Sequence, residues 1–485
     1  MTMHTIDSTT QTAVRAFIVA MKPGNINRRS EGRQGGRRRM SRMSKSKRKL
    51  ITVPFEATPK RETPGIPEWA QPHVWTERML TTLLTGVRGG KWHTLIDKVY
   101  SLDTLHFAAR RVVYKKGAAG VDHQTVDEFS ENDREELLRL QERLRTDTYL
   151  PSAVRRAWIP KPGSDEKRPL GIPTVRDRVV QTALVHVIEP IFDFTFHDRS
   201  FGFRRGRGCH HALECVEQLL NAGYVYVVDA DLKSYFDTIP KARLMQLVQQ
   251  SISDRRVLGM IQKYLDQEIM EELSLWTPEA GVPQGAVLSP VLSNVYLNPL
   301  DHQMATLNYQ MVRYADDFVI LCRTAEEAQS ALAEVQQWVT ANGLTLHPTK
   351  TQIVDSREKS FAFLGYTFRG NLRFPREKSH AKLQDRLREL TPRKSGESLP
   401  CTIQKLNSTL RGWFGYFRHC HPQVFSAIDS HLRARLRRLL LKRHRLNPNR
   451  LCRTWRWPNA FFAEQGLYSL GDAHARFVQS LLGNY

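Results

Sequence analysis

The stretch "RYADDFVIL" runs from Arg313 to Leu321, and its reading decides the fold. Two adjacent carboxylates, Asp316 and Asp317, stand between apolar runs. The wider segment "MVRYADDFVILC" (311–322) reads as strand, tight turn, strand, with both acids at the turn. Asp caps surface turns well, so the pair alone proves little. A second segment shifts the balance. "YVYVVDADLKSYFDTI" (224–239) opens with a Val- and Tyr-rich run suited to a buried strand, and the run ends at Asp229 and Asp231.

Two strand ends therefore carry acids. Ionised carboxylates brought together in a sheet repel and lose hydration, and burying them unpaired is costly. A divalent cation removes the conflict. Mg²⁺ takes oxygen ligands and is usually held by one or two carboxylates plus substrate phosphates. Two such ions about 3.5–4 Å apart can activate an attacking hydroxyl and stabilise a leaving oxygen. Nucleotide polymerisation has that need: a primer 3′-hydroxyl attacks an α-phosphate and pyrophosphate leaves.

Composition points to the same class of partner. The chain has 485 residues, 41% hydrophobic, with a formal net charge of +23. That length allows several domains and a sizeable core. The charge exceeds the magnitude of roughly 2–8 usual for a small soluble domain. It points to a polyanion, because Lys and Arg gain by releasing counterions from phosphates. Residues 22–49 carry +11 and residues 371–485 carry +15, which leaves −3 for the rest. A near-neutral middle suited to metal chemistry is thus flanked by two basic ends.

No apolar run reaches the roughly 18 residues of a membrane span. The Arg- and Ser-rich, acid-poor start resembles a transit peptide in composition, and a flexible nucleic-acid-binding tail is the favoured reading. Six cysteines are scattered without a CxxC pair, so disulfides are not implied and a reducing cytoplasm fits. "CHHALEC" (209–215) tempts a zinc reading. As a helix it would align only His211 with Cys215, short of the four converging ligands zinc needs.

Residues 1–75 lack lasting periodicity and read as a basic, mostly disordered tail. Helical patterns follow over 76–145, broken at "KKGAAGVDHQT". "AVRRAWIPKPGSDEKRPLGIPTV" (153–175) reads as two extended segments around a turn, and "RVVQTALVHVIEPIFDFTF" as a buried helix. "AEEAQSALAEVQQWVTANG" (325–343) is an amphipathic helix closed by Gly343. Strands and helices mix, so 76–370 is α+β. From 371 the pattern turns helical. Ile403, Leu406, Leu410, Trp413, Phe414 and Phe417 form one apolar stripe; Leu432, Leu436, Leu439 and Leu440 form another. Arg433, Arg435, Arg437, Arg438, Lys442 and Arg443 crowd the second helix with no acid between 433 and 443. With Arg411 they are the expected RNA contacts, against the plainer reading of a solvated basic face.

An ordered set of motifs carries a family resemblance: "GAAGVD" (117–122), "KRPLGIPTVRDRVVQ" (167–181), "SFGFRRGRGCHHAL" (200–213), "DLKSYFD" (231–237), "GVPQGAVLSPVLSNVYL" (281–297), "YADD", "GLTLHPTKT" (343–351) and "FLGYTF" (363–368). Together these resemble group II intron-encoded reverse transcriptases. "LNSTLRGWFGYFRH" (406–419) and "WPNAFFAEQGLYSL" (457–470) resemble that family's maturase region, domain X. The resemblance implies a right-hand polymerase, with fingers and palm over 76–370 and a helical thumb/domain X over 371–485.

It also implies roles. Asp231, Asp316 and Asp317 match metal-binding carboxylates for two Mg²⁺ ions, with Leu232 offering its backbone carbonyl. Phe236 matches the ring that excludes a ribose 2′-hydroxyl, though a core aromatic would look the same in sequence. Gln284 matches a contact to the nucleotide sugar, and Gly285 a close backbone approach. Lys161 and Arg168 match clamps on the triphosphate. Lys350 matches a lysine near the leaving pyrophosphate; as a solvated lysine it needs no explanation.

The implied partners are intron RNA, an RNA template with a DNA primer, dNTPs and target DNA, in a bacterial cytoplasm and with no membrane. Many relatives carry a C-terminal DNA endonuclease with paired Cys and His. This sequence has no such pairs, which implies a primer supplied from elsewhere. Two other readings stay open. One is a stand-alone reverse transcriptase, against which the domain X segments weigh. The other is a splicing maturase with no polymerase activity, against which Asp231, Asp316, Asp317 and Gln284 weigh.

Overall fold

The computed structural model describes residues 74–87, 89–160, 167–272, 274–392, 396–446 and 456–482. The expected basic tail, its 22–49 charge run and Lys161 lie outside the described residues. Val74 and Trp75, placed in the tail by sequence, are part of the core. Trp75 is fully buried, donates its indole N–H to the His186 carbonyl at 3.1 Å, and meets the Trp92 ring edge-on.

The strands follow in chain order: β1 (Val154–Pro160), β2 (Lys167–Ile172), β3 (Tyr226–Asp231), β4 (Ile269–Glu271), β5 (Ser274–Trp276), β6 (Gln310–Tyr314), β7 (Asp317–Cys322), β8 (Gln352–Asp355), β9 (Phe361–Phe363), β10 (Tyr366–Arg369) and β11 (Leu372–Pro375). Among the described residues they form three sheets, ordered β2-β1-β4-β5, β6-β7-β3-β8 and β11-β10-β9. Helices pack around them, including the expected Val175–Asp193 helix and the long pair Leu399–Phe417 and Pro422–Arg443. Among the described residues no helix is long and apolar enough to cross a membrane.

The continuous "FVIL" run in β7 has a physical reason. Successive strand residues face opposite sides. Phe318, Ile320 and Cys322 enter one core with Val228 and Ala230. Val319 and Leu321 enter a second core with Val227, Val312 and Val354. Both faces are covered, so no polar residue is tolerated on either. The second core also holds Leu406, Leu410, Phe425, Leu432 and Leu436 from the long helices. The helical region and the sheet that carries the acids are therefore one hydrophobic unit. The sequence boundary at 371 marks a change of pattern rather than a break in packing.

Register places the acids. β6 and β7 pair with Tyr314 opposite Asp317, which leaves Ala315 and Asp316 as a two-residue turn. Ala315 sits at φ +60°, where a side chain costs about 1 kcal/mol or more. Its surroundings hold it there. Phe201 N–H donates to the Arg313 carbonyl, and Arg313 N–H donates to Arg199. Gly202 packs so close that an added Cβ would lie 2.1 Å from the Ala315 nitrogen. Arg313 is fully buried. Its guanidinium donates to both Asp301 oxygens, at 2.7 and 2.5 Å, to Asn294 Oδ1 and to the Ala315 carbonyl. Removing one partner of such a buried pair costs about 3–5 kcal/mol. The first residue of "RYADD" thus clamps the turn that presents the fourth and fifth.

Candidate active site

Three chain segments converge where the central strands β3 and β7 of the β6-β7-β3-β8 sheet end and begin. Asp231, the last residue of β3, lies opposite Asp317, the first of β7. Asp229 shares their face two residues earlier, and Asp316 sits on the adjoining turn. Burial is the first cause raising all of Asp229, Asp316 and Asp317. Asp317 is pushed up to about 7, with Asp229, Asp316 and Asp231 adding to the shift. Asp316 is raised by Asp231 after burial and drawn down by Arg168 and Arg313. Asp229 is raised by burial and drawn down by Gln352.

The segment after Gly343 runs back across the end of β3. His347 N–H donates to the Asp231 carbonyl at 2.7 Å, and Leu232, 3% exposed, bridges Leu346. This run places Lys350 Nζ 2.5 Å from Asp231 Oδ2. Lys350 is thus a partner of an expected metal-binding acid and not an isolated surface lysine.

A cleft of 1080 Å³ opens beside the acids and takes in most of the expected residues, Asp317 not among them. Its lining includes Arg168, Asp231, Leu232, Phe236, Gln284, Gly285, Asp316 and Lys350. Phe236 is half-buried with its ring edge-on to Phe203 at 6.4 Å, so it walls the cleft and does not fill the core. Its peptide carbonyl accepts from Val282 N–H, which ties it to the "GVPQG" loop. Gln284 donates to Asp237 Oδ2 at 3.1 Å. Gly285 has φ +103°, and a Cβ there would meet the Gly171 carbonyl oxygen at 2.6 Å. Glycine is needed at that position for both its angle and its closeness.

Sequence reading passed over several contributors. Gln181 is buried in the Val175–Asp193 helix, and its Oε1 accepts from Val287 N–H at 2.8 Å and from Leu288 N–H, fixing the loop that carries Gln284. A polar residue inside an apolar helical run was the available signal. Arg111, Lys115, Lys116 and Arg178 line the cleft too; the first three lie on or at the end of the Leu102–Lys115 helix and Arg178 on the Val175–Asp193 helix packed against it, so only the packing of the two helices groups them.

The expected RNA contacts divide. Arg435 donates to Thr391 Oγ1 and to the Thr391 and Arg388 carbonyls. Arg437 donates to the Trp457 carbonyl and Asn459 Oδ1, with its guanidinium over Phe462. These two tether the helix to its neighbours, so their guanidiniums are already engaged within the protein. Arg438 and Lys442 are exposed, and Arg433 and Arg443 are half-buried. Arg411, on the preceding helix, is exposed with its guanidinium 5.5 Å from the Tyr468 ring centroid.

Among the described residues no three His, Cys, Asp or Glu groups are gathered as a ready-made metal cage. This holds for "CHHALEC" as well, where His210 turns to the Tyr416 carbonyl and His211 accepts from Gly208 N–H. The acids at the strand ends still fit a divalent cation. They offer hard oxygen donors on one face, their charges oppose one another, and a ligand set of few carboxylates is completed by substrate oxygens.

The raised acids predict a pH effect. A carboxyl lifted to about 7 retains its proton in the folded state after the unfolded chain has lost it. The folded state therefore loses stability as pH rises from about 4 to about 7, and the loss is complete above that. Melting in EDTA should show Tm falling between about pH 4.5 and 7, with a flatter profile for Asp317→Asn. Parallel profiles for the two proteins reject the assignment.

Comparison with known proteins agrees with this geometry. The family "Reverse transcriptase (RNA-dependent DNA polymerase)" matches residues 159–368, and "Group II intron, maturase-specific domain" matches 380–457. Protein YkfC of Escherichia coli K12 is 33% identical over 300 residues, covering 53% of this chain and 78% of that protein. Group II intron-encoded protein LtrA of Lactococcus lactis subsp. cremoris is 35% identical over 213 residues, covering 44% of this chain and 35% of that protein. An uncharacterized 91 kDa protein in the cob intron of Schizosaccharomyces pombe is 29% identical over 281 residues, 46% of this chain and 35% of that protein. The sheet that carries the acids falls within the first family match and both long helices fall within the second. The chain belongs to the group II intron-encoded reverse transcriptase and maturase family.

Proposed function

We propose that the chain copies RNA into DNA in this cleft and binds a group II intron RNA through its helical region, assisting splicing and intron mobility. The observation that carries the reading is the meeting of Asp231, Asp316 and Asp317 beside a cleft lined by Arg168, Phe236, Gln284 and Lys350. In this reading the three acids and the Leu232 carbonyl would hold two Mg²⁺ ions. When bound, those ions activate the primer hydroxyl and stabilise charge on the phosphates.

The chain's own groups do the rest. Arg168 neutralises triphosphate charge, with Lys161 as its expected companion. Gln284, held by Asp237 and by the Gln181-anchored loop, orients the sugar. Phe236 excludes the 2′-hydroxyl. Lys350 moves between Asp231 and the leaving pyrophosphate as the phosphates bring in negative charge. We assign fingers and palm to 76–370 and the thumb with domain X to 371–485, joined through the shared core.

The test uses purified protein with a DNA primer on an RNA template and dNTPs, together with sequencing of the RNA that co-purifies. Primer extension and recovery of an intron RNA are expected. Splicing promoted without extension points to a binding-only maturase. Extension without intron RNA points to a stand-alone polymerase. For the RNA surface, Arg433→Gln, Arg438→Gln and Lys442→Gln together should weaken intron binding and lower its salt slope by about 2–3. An unchanged slope moves the contact elsewhere.

A further inference from the structure

The β9–β10 turn holds an unusual residue. Leu364 and Gly365 are its two central positions, at φ +48° and +77°. Such a turn suits Asn-Gly, and leucine is strained at the first position. The Leu364 amide faces the Asp317 carboxylate and draws its pKa down, and β9, the strand before this turn, packs beside β7 in the second core. Its carbonyl, on the other side, accepts from the Tyr416 hydroxyl at 2.7 Å.

Tyr416 comes from the far side of the molecule in sequence, near the end of the Leu399–Phe417 helix. Its own carbonyl is among the last four of that helix and has no partner within it. Two groups from the sheet side fill the gap: the Tyr366 hydroxyl, and His210 Nε2–H at 2.7 Å. The ring packs against Tyr366 and Phe417, and a Cβ on Gly365 would lie 3.7 Å from it. Both ends of Tyr416 are therefore fixed, and its hydroxyl reaches a strained peptide that touches a catalytic-site acid.

We infer that Tyr416 is a positioning residue for polymerisation: its hydroxyl holds the Leu364 carbonyl, and the turn so held sets the amide that orients Asp317. A side chain inside the maturase-family match thereby supports the site inside the reverse transcriptase match. This inference rests on the polymerase reading above.

Tyr416→Phe removes the hydroxyl and keeps the ring packing. In the full chain it should lower kcat for primer extension about tenfold, with KM for dNTP little changed. It should also weaken Mn²⁺ binding to the nucleotide-free protein, followed by electron paramagnetic resonance, about fivefold, with an unchanged Tm. Asp317→Asn supplies the reference for lost Mn²⁺ binding. Wild-type Mn²⁺ affinity and kcat in Tyr416→Phe, with Tyr416→Ala only lowering Tm, overturn the inference and leave Tyr416 a packing residue. If the wild-type protein fails to extend a primer, the polymerase reading falls, while the Mn²⁺ measurement still judges Tyr416.

Discussion

Asp316→Asn is expected to lower primer extension by on the order of 10³-fold or more, with intron RNA binding and splicing kept at the wild-type level. The substitution keeps the shape of the side chain and removes its charge. Asp316 sits on a turn braced by Arg313 from within and by Gly202 from outside. The turn should therefore survive, and with it the two cores that meet at β7. Burial and Asp231 already raise Asp316, which means its charge is held at a cost. Such a charge is useful only where a cation and phosphates come to it. The expected RNA contacts Arg433, Arg438 and Lys442 lie on a helix outside the cleft. Parallel assays of extension and splicing decide the matter; loss of both activities sinks the separation of functions.

Phe236→Ala is expected to admit ribonucleotides, with discrimination against them falling about 10²-fold. The ring stands in the cleft wall, supported edge-on by Phe203 and Tyr235. Tyr235 is anchored through its hydroxyl to the Ser293 carbonyl at 2.7 Å. A ring so supported does not yield to an extra oxygen, whereas alanine leaves room for one. Ratios of kcat/KM for dNTP and rNTP measure the effect. Unchanged sugar selection, with a lowered Tm, returns Phe236 to the status of a packing aromatic.

Local order in the chain was enough to read much of this protein. The strand–turn–strand reading of 311–322 matches β6 and β7, and the acids fall where the apolar runs end. The extended pair at 153–175 matches β1 and β2. The apolar stripes of the long helices predict buried Leu406, Leu410, Leu432 and Leu436. These features repeat over a few residues and are set by strand and helix geometry, so a sequence displays them directly. The convergence of the motifs on one cleft was legible only through the ordered family pattern, since spacing alone does not bring Lys350 to Asp231.

Contacts between distant segments were not legible. Arg435 and Arg437 read in sequence as members of a basic face, and in the fold they also tether neighbouring segments. An arginine's stem and fork serve a carbonyl or a phosphate equally well, and only the neighbours decide which. Gln181 was not singled out in the sequence and anchors a loop more than a hundred positions away. The acids and their strands were determined by the sequence itself, because charge and alternation are local properties. The tertiary structure alone decided that Arg313 braces their turn, that both faces of β7 are buried, and that Tyr416 reaches the peptide beside Asp317. Those depend on which surfaces meet after collapse, and hydrogen-bond partners far apart in the chain leave no periodic mark upon it.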